Sequence, residues 1–86
     1  MARFVVALHR VLTEDPWRTE PIEIREFGSW DGAREYFLQV LQKLEDEGFE
    51  CFDHGSAWAM LCARPIENGS PGSGTEKRFL VVRIEE

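Results

Sequence analysis

Eighty-six residues, 43% of them hydrophobic and 12% aromatic, suffice for one small core and leave no room for a second domain. Sixteen acidic against ten basic side chains give a net charge of -6, which disfavours non-specific attachment to nucleic acid or anionic lipid and favours a neutral or basic partner. No segment is long enough to span a bilayer, and the apolar run from Phe4 to Leu8 is too short for a signal peptide, with no small-residue cleavage pattern behind it. Two cysteines, Cys51 and Cys62, make a thin disulfide framework, so the expectation is reduced, semi-buried thiols in a cytoplasmic protein.

From Arg3 to Leu12 the chain alternates, with Phe4, Val6 and Leu8 on one side and Val5, Ala7 and His9 on the other, which predicts a first strand. Thr13 to Thr19 contains Asp15-Pro16 and reads as a loop that carries Trp17. Glu20 to Phe27 alternates again, with Ile22 and Ile24 assigned inward and Glu23 and Arg25 outward. These two strands are expected to form a hairpin.

Ser29 to Phe49 is the clearest helical segment. Ala33, Phe37, Val40, Leu41 and Leu44 fall within an arc of roughly 100°, a stripe made to face a core. Ser29 or Asp31 is placed to cap its first amides, and Gly48 to end it in a left-handed residue. Phe49 to Phe52 then resumes a strand-like run, Asp53-His54-Gly55-Ser56 interrupts it, and Ala57 to Ala63 continues it as one bent strand or two short ones. Pro65 to Glu76, rich in glycine, proline and serine, reads as a flexible connector, and Lys77 to Ile84 as a final strand.

The order predicts a single α+β domain over residues 1–86, ββαββ, with one helix on one face of an antiparallel or mixed sheet of four strands, or five if the interrupted run splits. One helix cannot cover both faces. The helix-free face would carry Val5, Ala7, Val11, Phe79 and Val81 beside His9, Arg25 and Arg83, more apolar than a solvated face needs, and is read as a homodimer or partner surface.

Residues that mark a reaction are sparse. The glycine run from Gly69 to Gly74 lacks the lysine and the following helix of a phosphate-binding loop. Cys51 and His54, three residues apart, are a loose pair where a structural zinc site wants four ligands, and no orienting carboxylate or oxyanion hole completes a thiol nucleophile. Lys77-Arg78-Phe79 with Arg83 lacks the glycine-aromatic pattern of an RNA-binding strand, and the net charge opposes direct contact with nucleic acid. The expectation is no catalytic residue, no metal and no cofactor.

An electrostatic irregularity is more informative. Glu45, Asp46 and Glu47 stand in the last helical turn, where the macrodipole favours cations and each carboxylate costs about 0.3 kcal/mol. Glu50 and Asp53 extend the acidic set, and Leu38 lies near its edge. Leu38, Glu45, Asp46, Glu47, Glu50 and Asp53 together read as a docking surface for a basic protein partner.

The leading expectation is therefore a non-enzymatic acidic interaction module, an inhibitor that occupies the basic nucleic-acid-binding surface of a partner. Size, charge and strand-strand-helix-strand-strand order resemble those of small phage-encoded inhibitors of bacterial defence, anti-CRISPR proteins among them. That resemblance implies an anti-defence role and assigns no residue. One alternative is a dimeric ligand-binding protein or minor enzyme with a pocket built from Trp58, Met60, Cys51 and His54; another is a structural subunit of a larger assembly.

Overall fold

Alternating bulky residues at both ends of the chain become the middle of the sheet. In a computed structural model that describes residues 2–14, 16–54, 58–65 and 74–85, the elements are β1 (Arg3–Glu14), β2 (Trp17–Phe27), α1 (Trp30–Asp46), β3 (Glu50–Asp53), β4 (Ala59–Pro65) and β5 (Thr75–Glu85). The five strands form one sheet in the order β2-β1-β5-β4-β3, with every neighbouring pair antiparallel. The order is ββαβββ: the interrupted run after the helix is two strands, and they pair as a hairpin with Cys51 opposite Cys62.

Two predicted loops are shorter than expected. Trp17 is the first residue of β2, opposite Glu14, and does not lie in a loop. Pro65 and Thr75 are paired strand residues, as are Arg64 and Glu76. The rest of that predicted connector, residues 66–73, lies outside the described residues.

α1 forms where its stripe predicts. Ser29, with extended backbone, accepts the Gly32 amide on its side-chain oxygen at 3.2 Å, which satisfies one of the unpaired donors of the first turn. Gly48 ends the helix at φ 98°, a region where any other residue would be strained. Ala33, Phe37 and Leu44 are buried against Val6, Leu80, Cys62 and Phe49, with Val40 and Leu41 packed beside them. The end of this core near the helix start is aromatic, a run of edge-to-face contacts from Phe4 to Trp30, Trp30 to Trp58 and Trp58 to Phe37 at 5.9, 4.9 and 5.1 Å.

The phase predicted for β2 is reversed from Glu23 to Phe27. Glu23, Arg25 and Phe27 stand opposite Leu8, Val6 and Phe4, and opposed residues of an antiparallel pair share a face. β1 therefore turns them toward the helix and Ile24, opposite Ala7, away from it; Ile22, unpaired at the register shift, stays beside the helix, and both isoleucines are exposed. β2 tolerates charges there because it is the sheet edge. Tyr36 is the helical residue that meets them: its hydroxyl donates to Glu23, and the Arg25 guanidinium lies 5.0 Å from its ring centre. Burial and the accepting Glu23 carboxylate push the Tyr36 phenol above its ordinary pKa.

The helix-free face is partly closed by the chain itself. Register shifts between Leu8 and His9 and between Val11 and Thr13 interrupt the β1–β2 ladder, and such bulges bend a hairpin and strengthen its twist. Trp17 stacks on His54 at 6.0 Å and meets Phe79 edge-on at 6.2 Å. In a flat sheet β2 and β3 would be roughly 19 Å apart, four strand spacings, so the hairpin end and the β3 end curl toward each other over Phe79. Val5 and Ala7, expected on an open surface, are 2% and 0% exposed. Ala7 is flanked by Ile24 and Val81, and Val5 by Glu26 and Arg83, whose longer side chains shade them.

Candidate interaction surfaces

The outer side of α1 carries the residues that the core does not use. Leu38, 41% exposed, lines a shallow hollow of about 490 Å³ with Asp31, Arg34, Glu35, Gln39 and Gln42. One turn and two turns further on come Gln42, Glu45 and Asp46, with Gln42 donating to Asp46 at 3.0 Å. Glu45, Asp46 and Glu47 are all exposed, and none forms an ion pair with a described residue.

The structure supplies a cation for this helix end that the sequence did not show. Arg64, from β4, donates to the Glu47 carbonyl oxygen at 2.6 Å and lies 4.4 Å from the Phe49 ring centre. A second nitrogen meets Glu76 at 2.7 Å, and Arg78 covers the same ring of Phe49 at 5.4 Å. The negative end of the helix dipole is thus capped from across the sheet. The acidic last turn is compensated through the backbone, while its carboxylates stay without an ion pair among the described residues.

Glu50 and Asp53 do not join that turn. Glu50 stands opposite Ala63 and Asp53 opposite Met60, so the two project from opposite faces of β3. The six residues expected to form one docking surface therefore separate into a helical group, Leu38 with Glu45, Asp46 and Glu47, and two dispersed acids. On the far side of the sheet, Val11, Phe79 and Val81 are half-buried beside the fully covered Val5 and Ala7. Arg25, expected beside them, is on the helix side with Val6.

Cys51 and His54 are not a pair. Cys51 packs with the helix-side core, whereas the His54 ring stacks on Trp17 over the opposite face, 5.3 Å from Phe79. Cys51 stands opposite Cys62, directly across the β3–β4 ladder. Burial pushes both thiols up, Cys62 the further, and the nearby Glu45 carboxylate adds to the effect. Thiols so held stay protonated and are poor nucleophiles. The pocket expected from Trp58, Met60, Cys51 and His54 does not form: the first three pack against the core under α1. Among the described residues, no three His, Cys, Asp or Glu side chains gather as a metal site.

His9 also lies on the helix-free face, 6.4 Å from Phe79. Its Nδ1 is buried with no hydrogen-bond partner among the described residues. Burial, helped by the charge of Arg83, lowers its pKa. The sequence stretch Lys77-Arg78-Phe79 is divided between the two faces: Arg78 turns to Phe49 and Glu76, Phe79 to Trp17 and His54.

A groove that spacing along the chain could not show runs between α1 and the β1–β2 edge. It encloses about 450 Å³ over an apolar floor of Leu8, Ile22, Val40 and Leu44, with Arg10, Lys43 and Arg78 at its rim. Arg10 is held by Glu20 at 3.1 Å and Arg78 by Glu76 at 3.6 Å. Its lining comes from four elements, and only the assembled sheet brings them together.

No helix among the described residues is long and apolar enough to cross a membrane. Compared with family models, curated proteins and solved structures, the chain matches none.

Proposed function

We propose that this chain is a non-catalytic binding module that presents the outer face of α1 to a basic surface of a protein partner. The observation that carries this reading is the composition of that face. An exposed leucine at its centre is ringed by Asp31 and Glu35 and continued by Glu45, Asp46 and Glu47, whose carboxylates have no cationic partner among the described residues. Arg34 also lines the hollow, but carboxylates outnumber it on this face, and an apolar anchor in a mainly acidic surround is the pattern of a surface that gains its counter-charge from another molecule. A partner surface of that chemistry is typically one that holds nucleic acid, and an acidic helix seated there would exclude the nucleic acid by occupying its place. The reduced thiols fit a cytoplasmic setting.

The test is affinity capture from the native host, or from that host's prey, at low and raised salt, followed by competition. The expected result is a basic, nucleic-acid-handling protein that is retained by the wild type, released by added nucleic acid, and lost from Leu38→Lys and from a triple variant carrying Glu45→Gln, Asp46→Asn and Glu47→Gln. Both variants should keep the wild-type melting temperature, since all four side chains are exposed. Retention unchanged in both variants would overturn the assignment of this face.

A further inference from the structure

We infer that this chain pairs with a second copy of itself along the outer edge of β2, antiparallel, with Ile24 on the two-fold axis. β2 is the first strand of the sheet order, so one of its sides has no neighbour among the described residues, and an unpaired edge offers a row of free backbone donors and acceptors. The run from Glu23 to Phe27 pairs residue for residue with Phe4 to Leu8 and contains no register shift. Beyond it, Pro21 and the shift at Leu8/His9 spoil the edge as a template. The usable edge is short and regular, and it includes Ile24, which is 50% exposed in the single chain.

Charge selects the register. In an antiparallel pair related by a two-fold axis, opposed residues share a face, so the axis passes through a residue and not between two. An axis through Glu23 would oppose that carboxylate to its own copy, and one through Arg25 would oppose two guanidinium groups; like charges placed so are destabilising. An axis through Ile24 instead opposes isoleucine to isoleucine on one face and, on the other, Glu23 to Arg25 twice. Those groups have capacity to spare. Tyr36 takes one Glu23 oxygen, and Arg25 rests on the Tyr36 ring with no ion pair to any described residue.

The axis stands perpendicular to the sheet, so both helices lie on the same side of a continuous ten-stranded sheet. The outer faces of α1 remain uncovered, and this pairing stands independently of the binding role proposed for them.

Sedimentation of four proteins over a range of concentrations tests the pairing: wild type, Glu23→Arg, Arg25→Glu, and the double exchange. The wild type is expected to show a monomer–dimer equilibrium, each single variant to weaken it by about tenfold or more, and the double exchange to restore it. Ile24→Cys adds a readout that does not depend on charge, because mild oxidation should link two copies covalently at the axis. A wild type that stays monomeric throughout, or a dimer indifferent to both single charge reversals, would overturn the inference. Should a charge variant fail to fold, as judged by circular dichroism, the oxidation result decides: no covalent dimer from Ile24→Cys also overturns it.

Discussion

Two faces of one sheet are closed by different means. Under α1, large side chains from the helix and four strands interdigitate, with Phe37 and Leu80 fully buried and aromatic rings joined edge to face from Phe4 to Phe37. On the other side no helix lies among the described residues, yet Val5, Ala7 and Ala59 are buried as well. Small residues in the strand centres are shaded by longer neighbours, and the bent β1–β2 hairpin brings Trp17 over Phe79 and His54. A short chain can thus shield a second apolar face by curling its sheet, with a single half-exposed tryptophan as the clasp.

The comparison breaks most sharply at Phe37. Phe37→Ala removes a ring that is 2% exposed at the centre of the helix-covered face, and urea denaturation should record a loss of about 3–5 kcal/mol. Trp17→Ala tests the other face. Its ring is 46% exposed, so the expected loss in the same measurement is about 1–2 kcal/mol. A loss under about 0.5 kcal/mol, the level of an ordinary surface change, would show that the clasp contributes nothing.

The smallest effect concerns pH. Because the folded state lowers the pKa of His9 below its ordinary 6.5, the unfolded chain binds the proton more readily, and the stability tied to neutral His9 is present above 6.5 and lost as the pH falls through the lowered value. Wild-type stability should therefore decline between about pH 7 and pH 5 by more than that of His9→Gln. Equal declines in the two proteins would mean that the His9 ring is solvated.

The helix and its caps were legible because they depend on neighbours within one or two turns: the stripe from Ala33 to Leu44, the Ser29 cap and the Gly48 terminus all follow from local spacing. The phase of β2 was not legible. Alternation shows that one set of residues faces each way but leaves open which set faces the helix, and at this edge strand Ile24 went outward once pairing with β1 imposed the register, while a register shift kept Ile22 beside the helix. The acidic last turn was read correctly as exposed, but its compensation by Arg64 depends on a contact between residues seventeen positions apart. The groove beside α1 likewise has no signature in any one segment.

The sequence by itself determined the α+β content, the position of the helix, the side of it that enters the core and the acidic character of the side that does not, because each rests on local period and side-chain chemistry. Only the tertiary structure decided that Cys51 meets Cys62 and not His54, that Arg64 caps the helix, and that the hairpin folds Trp17 over the second face. Each of those joins distant residues through a strand register, and register is fixed by the pairing of whole strands.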